Sequence, residues 1–212
     1  MNAGGDRGRP TFEIAATVLL ALATVATAWS GYQSTRWNGE QAKAGARANA
    51  LRIESAKAAG LANTQAVVDV ATFTQWANAY AEKNQLLTDF YFKRFRPEFR
   101  RAVDAWIATR PLKNPDAPLT PFVMPEYKPA ARAEQARLEA EAEIYAAQAR
   151  LDIQRASNYV LAVVLFASAL FFGGMSAKLS SPRLRTTMLV MGCTVFVLTA
   201  IWIATSPVSI SV

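Results

Sequence analysis

The stretch TFEIAATVLLALATVATAWSGY, residues 11–32, decides the fold, because it is long and apolar enough to cross a bilayer. Roughly 30 Å of hydrocarbon takes about 20 helical residues to cross, and apart from Glu13 near its start this stretch carries no charge. Two runs near the other end of the chain have the same character. They are YVLAVVLFASALFFGGMSAKL, residues 159–179, and TTMLVMGCTVFVLTAIWIA, residues 186–204. Neither holds a charge from Tyr159 to Ala177 or from Thr186 to Ala204. The sequence therefore predicts an all-α membrane protein with three transmembrane helices. A long helical-hairpin extramembrane domain is expected between the first and second spans.

The expected segments are a short cytoplasmic tail (1–10), the first span (11–32), an extramembrane helical domain (33–157) and the second span (158–179). A short basic link (180–185), the third span (186–205) and a tail (206–212) complete the chain. A cleaved signal peptide is the alternative for the first run, with Arg7 and Arg9 ahead of it and Ala26-Thr27-Ala28 as a cleavage motif. Trp29, Tyr32 and Trp37 follow that motif and suit a retained span ending in an interfacial aromatic belt.

Charge sets the expected orientation. The N-terminal tail and the segment around Lys178, Arg183 and Arg185 are basic, and the last seven residues are uncharged. The positive-inside rule places the tail and the link in the cytoplasm and residues 33–157 outside it. That block holds 18 basic and 14 acidic residues, so the overall net charge of +7 is spread thinly along it. No Asp, Glu, Lys or Arg lies mid-membrane, which counts against proton relays, coupled transport and voltage sensing. Small residues recur four apart at Ala23, Thr27 and Gly31 and at Ala169, Gly173 and Ala177, a spacing that permits close helix packing.

Chemistry is sparse. The chain has no histidine and one cysteine, Cys193, which lies inside an apolar run. Ser-His and Cys-His nucleophile pairs, an intrachain disulfide and a cysteine-based metal site are thereby excluded. Helix-borne acids such as Asp69 and Glu82 have no marked partners in the sequence and are expected to be solvated or in i,i+4 pairs. No catalytic, cofactor-binding or metal-ligating residue is expected, and the chain is not expected to be an enzyme.

Between the spans, residues 39–95 lack proline and are rich in alanine, the best helix former. A long helix is expected there, starting at an Asn38 cap with Gln41 as its partner. Phe73, Trp76, Tyr80, Leu87 and Tyr91 share one of its faces. It is expected to run straight, with a bend near Gly60 as the alternative. A short helix over about 97–109 should follow Pro97. The segment PLKNPDAPLTPFVMPEYKP, residues 111–129, has six prolines three or four apart and predicts an extended strap, more a stiff connector than a recognition element. A returning helix over about 130–157 should run on into the second span. Leu138, Ala142, Tyr145, Ala149, Ala156 and Tyr159 stand in heptad-like register along it, and Asp152 interrupts that seam.

The densest motif is FYFKRFRPEFRR, residues 90–101, with five basic and five aromatic side chains. Lys93, Arg94, Arg96, Phe99, Arg100 and Arg101, together with Trp106, form a candidate interaction surface. Nucleic acid is not an expected partner, since the orientation puts the motif outside the cytoplasm. A corner that pins the helix turn to the strap is the preferred role. Lipid headgroups or a protein partner are the alternatives. Phe99, Val103, Trp106 and Ile107 are expected to share the buried face of the short helix.

Several blocks taken together resemble a family of small bacterial membrane proteins. They are AWSGYQSTRWNGEQA, VATFTQWANAY, RFRPEF with Ala105-Trp106, PDAP with PF and PEY in the strap, and YVLAVVLFASALFFGG. The resemblance implies a multi-pass protein of the bacterial cytoplasmic (inner) membrane, with one N-terminal and two C-terminal spans; in such a membrane the outer side that the charge rule gives residues 33–157 is the periplasm. The resemblance brings no activity, cofactor or site residue. The expected function is that of a structural or interaction protein, a membrane-anchored helical stalk that oligomerises or scaffolds a partner. The expected partners are the lipid bilayer and either further copies of the chain or another membrane or periplasmic protein. A homo-oligomeric pore lined by Thr17, Thr24 and Thr27 is the alternative.

Overall fold

Proline placement and alanine content explain most of the architecture. No proline occurs between Pro10 and Pro97, and in the computed structural model α1 runs unbroken over Arg9–Ala81. The structure describes the backbone of residues 9–210 and side chains from residue 12. Most of the expected tail 1–10, with Arg7, and the last two residues of the C-terminal tail lie outside the described residues. After α1 come α2 (Gln85–Phe92), α3 (Pro97–Ala108), a 3-10 turn (Pro121–Val123), α4 (Ala130–Lys178) and α5 (Pro182–Ala204). Among the described residues there is no strand. Three helices, α1, α4 and α5, are long and apolar enough to cross a membrane, as a multi-pass membrane protein requires.

Two boundaries differ from the sequence expectation. No helix starts afresh at Asn38, because α1 already includes it and alanines on both sides keep the helix propagating. The outgoing helix also ends at Ala81, short of residue 95, and it passes through Gly60 without interruption. Its end is a Schellman motif. Lys83 takes the left-handed conformation at φ 58°, Asn84 N–H donates to Ala79 C=O at 2.9 Å and Lys83 N–H to Tyr80 C=O at 3.1 Å. Asn84 then caps α2, its side chain accepting from Leu87 N–H at 3.2 Å. Pro97 opens α3 as expected of a first-turn proline, with Arg96 extended before it.

The chain divides into two compact units. One comprises the residues up to Gly45 together with Ala146 onward, the other Ala46–Tyr145.

In the first unit the buried and half-buried positions of α1 alternate three and four apart: Ala16, Leu19, Ala23, Ala26, Ser30, Gln33, Trp37, Glu40 and Ala44. Most are small, so neighbouring helices approach closely. A Cβ on Gly192 of α5 would meet Leu19 Cδ2 at 3.1 Å and Ala169 O at 3.2 Å, and one on Gly173 would meet Leu19 and Leu20 at 3.3 Å. Of the expected packing residues, Ala23, Ala169 and Gly173 are buried and Thr27 and Gly31 half-buried, while Ala177 is exposed. Gly31 has open space where a Cβ would go. Trp37, Ala156, Tyr159, Ala162, Phe166 and Ile203 form the main apolar cluster. The C-terminal tail is pinned beside it. Fully buried Gln33 accepts from Ser209 N–H at 3.0 Å, and the Tyr159 hydroxyl donates to Pro207 C=O at 3.0 Å. Asp152 is buried too, accepting from Arg155 and from Gln148 at 2.9 Å each. It is thus part of the seam that the sequence suggested it would interrupt.

In the second unit the same alternation runs through Ala48, Leu51, Ser55, Ala58, Ala62, Gln65, Asp69, Thr72, Trp76 and Ala79. The start of α4 packs antiparallel on the first part of this seam, where Leu51 and Ala58 meet Leu138, Ala142 and Tyr145. Arg47 pairs with Glu141 at 3.6 Å and Arg52 with Glu143 at 3.7 Å on the exposed flanks. Such exposed pairs add little stability, so the small apolar seam holds the pair together.

Candidate functional site

The remainder of the seam, Asp69 to Ala79, is covered by α2, α3 and the strap, and here the FYFKRFRPEFRR motif finds its place. Phe99 is fully buried at the centre. Its ring stacks on Phe122 at 5.0 Å and meets Phe95 edge-on at 4.9 Å and Tyr127 at 5.8 Å. Phe73 on α1 meets Trp106 and Phe122 at 5.6 and 5.8 Å. Edge-to-face aromatic pairs add about 0.5–1.5 kcal/mol each beyond the area they bury. Val103 is buried and Trp106 half-buried, but Ile107 is turned outward at 41% exposure. The strap is more than a spacer here. Pro121 is fully buried, and Trp106 Nε1 donates to Pro118 C=O at 2.6 Å.

Polar groups lock the same corner. Asp69, 1% exposed, accepts from Arg96 Nε at 3.0 Å, from Arg96 Nη2 at 2.8 Å and from the Tyr127 hydroxyl at 3.0 Å. A single carboxylate therefore ties α1 to the α2–α3 turn and to the strap. This corrects the expectation of a solvated Asp69. A carboxylate that deep must be paired, and the bidentate guanidinium fork supplies the pairing. Glu82, by contrast, is exposed. The hydrogen bond and charge of Asp69 raise the Arg96 pKa against the opposing effect of burial. Burial, with the neighbouring Asp69, pushes the Tyr127 phenol up to about 12. Arg100 serves another end: its Nη2 donates to Phe92 C=O at 3.1 Å and Lys93 C=O at 2.7 Å, satisfying carbonyls at the end of α2.

The candidate interaction surface thus separates into two sets. Phe99, Arg96, Arg100 and Trp106 are engaged in the corner, and Lys93, Arg94 and Arg101 remain exposed. The sequence held one signal for the lock. Asp69 is the only Asp, Glu, Lys or Arg between Lys57 and Glu82, and a lone charge in so long an uncharged stretch calls for a buried partner.

That same stretch has a solvent side. Leu61, Val67, Val68, Val70 and Tyr80 are 53%, 69%, 49%, 48% and 53% exposed, and no exposed residue from 58 to 81 is charged. The hydroxyls of Thr64 and Thr74 bond to carbonyls of their own helix at 3.0 and 2.9 Å, and Asn63, Gln75 and Asn78 are exposed neutral amides here. In the first span, Thr17, Thr24 and Thr27 likewise donate to Glu13, Leu20 and Ala23 C=O at 2.7–2.8 Å. Among the described residues, no three His, Cys, Asp or Glu side chains are grouped as metal ligands. Comparison of the chain with family models, with curated proteins and with solved structures gives no match.

Proposed function

We propose that the protein is a structural and interaction protein of the bacterial inner membrane, a membrane-anchored helical stalk that oligomerises or scaffolds a partner. In this account residues 33–157 form a helical hairpin on the extracytoplasmic side. The observation that carries the proposal is the exposed, charge-free arc of α1 over residues 58–81, bearing Leu61, Val67, Val68 and Val70. Scattered exposed apolar residues are ordinary, but here they recur along one helix. The exposed polar side chains of the same stretch, Asn63, Thr64, Thr74, Gln75 and Asn78, are all neutral, which suits a surface that association covers. The flanking part of the unit is densely charged, from Arg47 to Lys57 on α1 and from Arg132 to Glu143 on α4, so the arc is a local feature.

Cross-linking in native membranes tests this. With Cys193→Ser as background, Val67→Cys is expected to form an adduct, either of two copies or with a second protein. Arg52→Cys, in the charged part of the same helix, is expected to form little. Equal or absent adducts at both positions would count against an interface on the arc.

A further inference from the structure

We propose that the charge-free arc of α1 docks on the same arc of a second copy of this chain, the two α1 segments lying parallel and in register. This pairing rests on the contact role proposed for the arc, and it names the partner. Gly60, Asn63, Val67, Val70 and Thr74 recur three and four apart, and all five are exposed. At about 100° per residue they fall on the far side of α1 from buried Ala62, Asp69 and Trp76, the side that the rest of the unit leaves uncovered. Val67 and Thr74 then stand at the a positions of a parallel seam, and Asn63 and Val70 at the d positions. β-Branched side chains at a suit two strands, and a polar Asn in the seam fixes register.

Symmetry selects the occupant. In a parallel two-fold contact each side chain near the axis meets its own copy, so a charge there would meet its like. No exposed residue from 58 to 81 is charged. The exposed polar side chains, Asn63, Thr64, Thr74, Gln75 and Asn78, are amides and hydroxyls. Such groups both donate and accept hydrogen bonds, so each can pair with an identical group, which an ionised carboxylate or an ammonium cannot. A different protein would set no such condition, because charges on the arc could find opposite charges on that partner. Direction follows from the helix itself. Copies inserted the same way round begin α1 from the same side of the membrane, and α1 is unbroken over Arg9–Ala81, so neighbouring copies carry the segment in the same sense. Anchorage in one bilayer also raises the effective concentration of one arc around another, which allows a seam with only two valines to associate.

The test uses the full chain with Cys193→Ser in native membranes and one introduced cysteine. A disulfide bridges Cα atoms no more than about 7 Å apart, so only positions that face their own copy should link. On mild oxidation Val70→Cys is expected to give an adduct of twice the 23.1 kDa of one chain, and Val68→Cys, off the seam, little. Val67→Glu or Val67→Lys is then added to the Val70→Cys chain, at a position 69% exposed and so outside the unit's own packing. Either charge meets its like and should lower the adduct about tenfold. Co-expression of the Glu and Lys chains under two different affinity tags should restore it, with both tags in one adduct, and that recovery shows that both variants fold. An adduct that neither charge lowers, or that mixing does not restore, would overturn the pairing. Cross-linking of Val67→Cys to a different protein, with no self-adduct at Val70→Cys, would overturn the pairing and leave the arc a contact. No adduct to anything at either position would remove both.

Discussion

Asp69 is the residue on which the second unit turns, since its carboxylate joins α1, the α2–α3 turn and the strap through three hydrogen bonds. Asp69→Asn keeps the shape but removes the charge that the Arg96 fork requires. Because Arg96 retains 24% side-chain exposure and can recover some solvation, the expected loss is about 2–3 kcal/mol, below that for a fully buried pair. Chemical denaturation followed by tryptophan fluorescence of Trp76 and Trp106 measures it, and a double-mutant cycle with Arg96→Gln should show strong coupling. Phe99→Ala should cost about 3–5 kcal/mol in the same assay. Tyr127 gives a pH signature. Its folded pKa, about 12, lies above the unfolded value of about 10. The folded state therefore keeps a proton that the unfolded chain has lost, and the stabilisation, complete below pH 10, is lost as pH rises from 10 to 12. Tyr127→Phe should flatten that part of the stability profile; an unchanged slope would refute the assignment. Phe99 and Trp106 were legible as core from their helical spacing. Tyr127 was not, because a tyrosine in a proline-rich strap carries no periodicity to betray burial.

At the scale of elements, the helices themselves were legible from proline placement, alanine content and apolar runs. The stop at Ala81 was not. Its left-handed residue is Lys83 where glycine is the usual choice, and Asn84 is the only conventional signal. Lys83→Gly should accordingly stabilise the second unit by about 1 kcal/mol by relieving that conformation. A loss of stability would mean that the turn is not strained. The glycines of the first unit gave a mixed signal: four-residue spacing picked out Gly173, which is buried against Leu19 and Leu20. It also singled out Gly31, which has room to spare, and passed over Gly192, which sits between Leu19 and Ala169. Gly192→Ala should cost about 1–3 kcal/mol through overpacking, whereas Gly31→Ala should be neutral or slightly stabilising. Thermal unfolding in detergent distinguishes the two, and equal effects would contradict the packing described for α5. Spacing along one helix says which residues share a face; it does not say which face meets a neighbour.

For the whole molecule, composition alone revealed three helices able to cross a membrane, because twenty apolar residues in a row need no tertiary context to be recognised. What composition could not supply is how the long helices use their surfaces. The seam positions of α1 are small residues that look alike from one end to the other, yet one part meets α4 and another the aromatic corner. The solvent side of residues 58–81 is left without charge, and the proposed association rests on that arc. The direct measurement is the mass of the protein component in the purified, detergent-solubilised particle, by light scattering with the detergent contribution subtracted. The account predicts a particle of at least twice the 23.1 kDa of one chain, or one chain with a co-purifying protein, reduced to a single chain by Val67→Glu with Val68→Glu. A wild-type particle of one chain alone would contradict it.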